Sequence, residues 1–257
     1  MARKLRCPNS FGFDWRVEVP DYYARRVNSF LNRFDVNTKN RFGQTLLMLL
    51  VNKGIEELVQ LVISKGANVN EADKRGVTPL MIAVGANDKS IYQALLSKNA
   101  DIMAEDKFDR SVLIWAIENR SDEEIIKDLI DRGAQINPTY KKGFFFLNKK
   151  RITPLMAAVR SGNEKIVKML IERGADVTLK DRVGKKGRTA LDFAYALPIF
   201  QNNTKDIVDI LSKAPQIRAE YLEKHPEEKD RSTSTILFNN VFSHRHSHEF
   251  YRGHGRE

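Results

Sequence analysis

The sequence predicts an all-α solenoid of stacked helix-turn-helix repeats joined by β-hairpin-like loops, and three observations carry the prediction. The stretch from Asp73 to Glu105, laid over the chain at a shift of 33 residues, puts Gly43 on Gly76, Thr45 on Thr78, Gly66 on Asn99 and Asn37 on Asn70. Within the stretch, a Gly-containing turn leads into Thr78 and Pro79. The Thr hydroxyl can cap a helix, and Pro suits the first helical position, where no amide donor is lost. After the short connection Gly85 to Asp88, the residues Ile91, Tyr92, Leu95 and Leu96 make one apolar stripe of a second helix, which Asn99 ends. A helix pair of this length has no second layer to cover its stripe, so it must stack on copies of itself.

A period near 33 with a Thr-Pro-Leu core is the ankyrin signature, and the unit resembles an ankyrin repeat at Gly76, Thr78, Pro79, Leu80, Ala83, Leu95, Leu96, Ala100 and Asp101. The resemblance implies a non-enzymatic protein-protein interaction module, a scaffold or adaptor that binds along a concave strip of hairpin tips and first helices.

Taken in order, residues 1–20 lack a period and are interrupted by Pro8, Gly12 and Pro20, which suggests an N-terminal arm. Residues 21–39 fit the second half of a degenerate capping repeat, with Ala24, Val27, Phe30 and Leu31 on one face and Asp35-Val36-Asn37 matching Asn68-Val69-Asn70. Full repeats follow at 40–72, where Leu46 replaces the usual Pro, and at 73–105. The repeat 106–136 places Asp109 at the turn Gly and Ser111-Val112 where Thr-Pro belongs; Asp also tolerates turn geometry.

The repeat 137–180 resumes at Thr153-Pro154-Leu155, but 42 residues rather than 33 separate Ser111 from Thr153. About eight of the extra residues fall in the basic, aromatic loop between Gln135 and Ile152. Residues 181–214 read as a C-terminal capping repeat, completing an ankyrin domain over 21–214. Beyond Pro215, Ile217 to Lys224 suggests one more helix, and the polar composition of the rest of 215–257 suggests a disordered tail. Within that tail Ile236, Leu237, Phe238, Val241 and Phe242 form an apolar island able to dock on the array or on a partner.

Composition narrows the classes of function. The apolar run Leu46 to Val51 is far short of the roughly 20 residues of a bilayer span. The N-terminus has no apolar core behind its positive charges, as a cleaved secretory signal would. A single cysteine, Cys7, can form neither an internal disulfide nor a cysteine zinc site. These features lead to the expectation of a cytoplasmic monomer, with export by a route lacking a cleaved signal as an alternative.

No catalytic constellation stands out, and no cofactor is expected. Gly184 to Thr189 lacks the spacing of a phosphate loop. His244, His246 and His248 alternate and could hold a metal loosely, but a solvated tail is the preferred reading. Met48, Met81 and Met156 read as core filler rather than a cofactor box.

The net charge of +10 is concentrated in the array: residues 216–257 hold seven basic and seven acidic residues, whereas 137–151 hold five basic and none acidic. Transferred unit by unit, the family's tip positions fall on Arg41, Phe42 and Gln44; on Lys74, Arg75 and Val77; on Lys107, Phe108 and Arg110; on Lys149, Lys150 and Ile152; and on Arg182, Lys185, Lys186 and Arg188. The corresponding first-helix positions include Asn52, Lys53, Glu118, Asn119, Arg160 and Ser161.

Solvated tips would carry mixed signs. Here the Lys and Arg residues are interleaved with Phe42, Phe108 and Phe144 to Phe146, a composition typical of binding hot spots. A row of like charges steers acidic partners. An acidic protein is therefore the first expectation, nucleic acid the second and an anionic lipid surface the third. A further alternative is an exported bacterial effector that engages a host protein. The Phe triplet could instead pack back on the array.

Overall fold

A computed structural model describes Arg25, Ser29 and residues 35–142, 150–181, 187–196 and 204–228, with Tyr140 to Lys142 and Lys150 described as backbone only. The chain builds five helix pairs and a closing helix among these residues. The pairs are α1 (Leu46–Lys53) and α2 (Glu56–Ser64), α3 (Pro79–Gly85) and α4 (Lys89–Leu96), and α5 (Val112–Glu118) and α6 (Glu123–Asp131). A strand pair, β1 (Tyr140–Lys142) and β2 (Lys150–Ile152), precedes α7 (Pro154–Ser161) and α8 (Glu164–Glu172). Helices α9 (Ala190–Tyr195), α10 (Thr204–Ser212) and α11 (Ala214–Lys224) follow.

Each first helix starts where the sequence provides a hydroxyl. Thr45, Thr78, Ser111, Thr153 and Thr189 accept the amide N–H three residues on, at 3.4, 3.3, 3.4, 3.2 and 3.3 Å. Each such bond satisfies one of the amides a helix start leaves unpaired, worth about 1 kcal/mol. Ser111 thus does the work of the Thr it replaces. The first helices α1, α3, α5, α7 and α9 pack side by side, as do α2 with α4, α6 with α8, and α8 with α10. The continuous core between the layers contains Leu47, Leu80, Leu95, Leu113, Ile125, Leu155 and Leu170, together with buried Met48, Met81 and Met156.

Two polar devices tie the units together away from the core. The Asn37 side-chain carbonyl accepts Asn68 N–H at 2.8 Å and its amide donates to the Gly66 carbonyl. Asn70 repeats this clip on Asp101 N–H and the Asn99 carbonyl, and Asn137 repeats it on Asp176 N–H and the Gly174 carbonyl. The register position between them, 33 residues after Asn70, is Met103, which has no side-chain amide and stands 45% exposed.

Between α4 and α6 the tie is a polar seam. The Tyr92 hydroxyl and Arg132 Nε both donate to Asp128 Oδ2 at 2.7 Å, and Lys89 pairs with Glu124. Burial alone would raise the Asp128 pKa, but the hydrogen bonds from Arg132 and Tyr92 and the Arg132 charge hold it below the usual carboxylate value.

The last helix begins earlier than expected, at Ala214, because Pro215 falls in its first turn, where a missing N–H costs nothing. It packs on α8. Arg218 donates to the Glu172 carbonyl, Arg173 pairs with Asp131 at 2.5 Å and Glu228 at 3.4 Å, and both guanidiniums lie over the Tyr221 ring. The apolar island Ile236 to Phe242 lies outside the described residues.

Candidate functional site: the row of hairpin tips

The tips form because one side chain organises each of them. In the first three units Asn40, Asp73 and Asp106 enter the turn, and their Oδ1 atoms accept the N–H groups two and four residues on. The distances are 2.9 and 3.0 Å to Phe42 and Gln44, 2.7 and 2.9 Å to Arg75 and Val77, and 2.8 and 3.0 Å to Phe108 and Arg110. The same three residues close the turn with a backbone bond to the carbonyl four residues later. Short Asx side chains are suited to this local bonding.

Consecutive tips are joined directly. Lys74 N–H donates to the Phe42 carbonyl at 3.1 Å, and Lys107 N–H donates to the Arg75 carbonyl at 2.9 Å. The junction explains the glycines. Gly43 and Gly76 take φ values of +80° and +81°, and a Cβ on either would lie 2.7 Å from Lys74 N or 2.9 Å from Asp106 Cα and Lys107 N. Only glycine satisfies both the torsion and the close approach. Asp109, at φ +59°, meets the torsion alone.

The fourth unit breaks the pattern with a real strand pair. Tyr140 pairs with Ile152 twelve positions later, where Asp73 and Val77 are four apart, so eight more residues lie between the paired positions than in the short tips. Contact with the next unit resumes at Arg151 N–H, which donates to the Asp181 carbonyl at 2.7 Å. Asp181 organises the fifth tip by accepting Arg188 N–H at 2.8 Å.

The structure divides the predicted site residues into two sets. In the first, cations are tied to the turn carboxylates. Arg110 reaches Asp106 at 2.6 Å and Glu118 at 3.6 Å, and it lies over the rings of Phe108 (5.4 Å) and Trp115 (4.6 Å). Trp115 Nε1 donates to the same Asp106 oxygen at 3.3 Å. Arg188 sits 3.3 Å from Asp181 and 4.3 Å from the Phe193 ring centre. The tips are therefore less positive than their Lys and Arg content alone implies: Asp106 to Arg110 holds two acidic and two basic residues.

The second set faces solvent. Arg41 lies 4.7 Å from the centre of the Phe42 ring, and Phe42 and Phe108 are 48% and 39% exposed. Lys74 and Lys107 are exposed, and neither they nor Arg41 pairs with a carboxylate among the described residues. Arg75 is intermediate: its Nε leans on Asp73 Oδ2 at 3.4 Å, yet its side chain is 68% exposed.

Lys150 is placed by its backbone in β2. Lys149, Arg182, Lys185, Lys186, Phe144 to Phe146 and His244, His246 and His248 lie outside the described residues. On the first helices Asn52, Lys53 and Arg160 are exposed, whereas Glu118 is engaged with Arg110 and Asn119 donates to the Trp115 carbonyl.

Sequence reading missed Asp73, Asp106 and Asp181 as turn organisers. The signal was present: an Asn or Asp stands five residues before the capping hydroxyl in each of the first three units.

No group of three His, Cys, Asp or Glu side chains suited to a metal occurs among the described residues. Nor is any helix among them long and apolar enough to cross a membrane. Helix pairs stacked in register, with hairpin tips zipped edge to edge, define a helical repeat solenoid. Its sequence agrees: the family description "Ankyrin repeats (3 copies)" matches residues 21–106 and again residues 113–221, and the chain belongs to the ankyrin-repeat family. Ankyrin repeats are in general protein-protein interaction modules rather than enzymes. No curated protein matches the chain.

Proposed function

We propose that this chain is a non-catalytic scaffold or adaptor that binds an acidic protein segment along the tips of its first three units. The observation that carries the reading is the placement of two exposed rings, Phe42 and Phe108, on rigid tips beside Arg41, Lys74 and Lys107. Rigid tips lose little entropy on binding, exposed aromatics supply contact area, and cations that form no ion pair among the described residues attract an acidic partner. Arg110 and Arg188 contribute by holding their tips in shape. Lys149 and Lys150 add to the positive charge of the repeat array, and the working compartment is the cytoplasm.

The reading is tested by affinity capture from a cell lysate, with and without nuclease, using the wild type and the triple variant Arg41→Glu, Lys74→Glu, Lys107→Glu. Proteins that survive nuclease and disappear with the triple variant support the proposal. Capture that collapses with nuclease would instead identify a nucleic-acid partner, read through phosphates by the same cations.

A further inference from the structure

Between the two exposed rings the tip row holds an arginine, and the order is set by the repeat. Phe42, Arg75 and Phe108 occupy the third position of three consecutive turns. Each turn is bonded to the next through Lys74 N–H on the Phe42 carbonyl and Lys107 N–H on the Arg75 carbonyl. The three side chains therefore recur at the spacing of stacked units, about 8 to 10 Å, the distance between packed helices. Arg75 keeps its side chain 68% exposed, whereas Arg110, at the fifth position of its turn, is 27% exposed and held between two carboxylates. The row presents ring, guanidinium, ring, each in part exposed at its tip.

A ligand that contacts all three must place side chains on one face at that same spacing. In a β-strand, residues i and i+3 point to opposite faces, and i and i+2 are only about 6.6 Å apart. In a polyproline II helix three residues make one turn and rise about 9.3 Å, so i, i+3 and i+6 fall on one side in step with the units. Polyproline II segments also dock on exposed aromatic rings, with little conformational freedom left to lose.

Resting on the proposed tip-row function and going beyond it, we infer that the partner segment is an acidic polyproline II stretch with the pattern apolar-x-x-acidic-x-x-apolar. Its two apolar side chains lie on Phe42 and Phe108, and its carboxylate lies on the Arg75 guanidinium.

The test is fluorescence anisotropy of the full chain with two labelled peptides, Leu-Pro-Pro-Glu-Pro-Pro-Leu and the register-shifted control Leu-Pro-Glu-Pro-Pro-Pro-Leu. The in-register peptide is expected to bind about tenfold tighter, the value of one well-placed charge-assisted contact. Arg75→Ala should erase that preference, Arg75→Lys should retain part of it, and Phe42→Ala or Phe108→Ala should weaken both peptides. Circular dichroism of each variant verifies the fold. Equal affinity for the two registers, a preference that survives Arg75→Ala, or no saturable binding of either peptide overturns the inference. If lysate capture still depends on Arg41, Lys74 and Lys107 while the peptides show no register preference, the tip-row reading stands and the polyproline register falls. If both fail, both fall.

Discussion

The second and third tips have the same length, the same closing bonds and an entering Asp whose Oδ1 accepts two amides, yet their arginines do different work. In the second, Arg75 touches Asp73 with one nitrogen at 3.4 Å and leaves most of its side chain in solvent. In the third, Arg110 is two positions further along, where it meets Asp106 and Glu118 and lies over the rings of Phe108 and Trp115. Two residues that look equivalent by composition are thus a solvent-exposed cation and a fastener. Position within the turn decides which, because only the fifth position brings the guanidinium down onto the first helix of its own unit.

Substitutions can break that comparison, and the largest effect should come from Asp106. Its side chain is fully buried and serves two backbone amides, Arg110 and the Trp115 N–H. Asp106→Ala should cost about 3 to 5 kcal/mol in chemical denaturation, since it leaves the partly buried Arg110 guanidinium only Glu118, removes the acceptor of Trp115 and unpairs the turn. Asp73→Ala should cost roughly 2 kcal/mol, because Arg75 already lies in water. A core truncation, Leu95→Ala, provides a yardstick of about 2 to 5 kcal/mol.

Next in size is the glycine junction. Gly76→Ala forces a Cβ against the backbone of the third tip in a left-handed conformation and should lose roughly 2 to 3 kcal/mol, whereas Asp109→Gly should change stability by less than about 1 kcal/mol. A loss at Gly76→Ala of only about 1 kcal/mol would mean that the torsion alone, not the close approach, makes glycine necessary.

Smaller still is the direct comparison of the arginines. Arg110→Ala should lower stability by about 1 to 2 kcal/mol and Arg75→Ala by no more than about 0.5 kcal/mol. A comparably small effect is expected at the α4–α6 seam, where Tyr92→Phe removes one donor from Asp128 and should cost about 1 kcal/mol or less. Because the Asp128 pKa is depressed in the folded chain, its contribution is present above the ordinary carboxylate value and is lost as pH falls through the folded one. The Tyr92→Phe deficit should therefore shrink in acid, as read by thermal melts below and above pH 4.

Much of the fold was legible because the repeat writes it several times. The hydroxyl at each helix start, the apolar stripes Ile91 to Leu96 and Ile125 to Ile130, and the eight-residue excess before Thr153 all follow from local chemistry or counting. The strand pairing of that excess was not legible, because Tyr140 and Ile152 find each other across twelve positions of mixed composition. The site was legible at the level of position and not of charge. Arg41, Phe42, Lys74, Lys107 and Phe108 stand exposed where the register puts them, but counting cations at the tips overlooked the carboxylates folded beneath them. An Asp two to four residues from an Arg reads as scattered charge in one dimension. The turn then buries the first against the second. Likewise, nothing in the string separates Met103 from its neighbours until the clips at Asn37, Asn70 and Asn137 show which position in the register it occupies.

The central claim is that the exposed cations bind and the tied ones support. It is tested most directly by measuring melting temperature and partner capture side by side for two variants, the triple Arg41→Glu, Lys74→Glu, Lys107→Glu and the single Arg110→Ala. The account predicts that the triple variant melts like the wild type and loses its partner, while Arg110→Ala melts several degrees lower and, below its melting point, still captures it. Capture unchanged in the triple variant, or lost only in Arg110→Ala, would contradict the account.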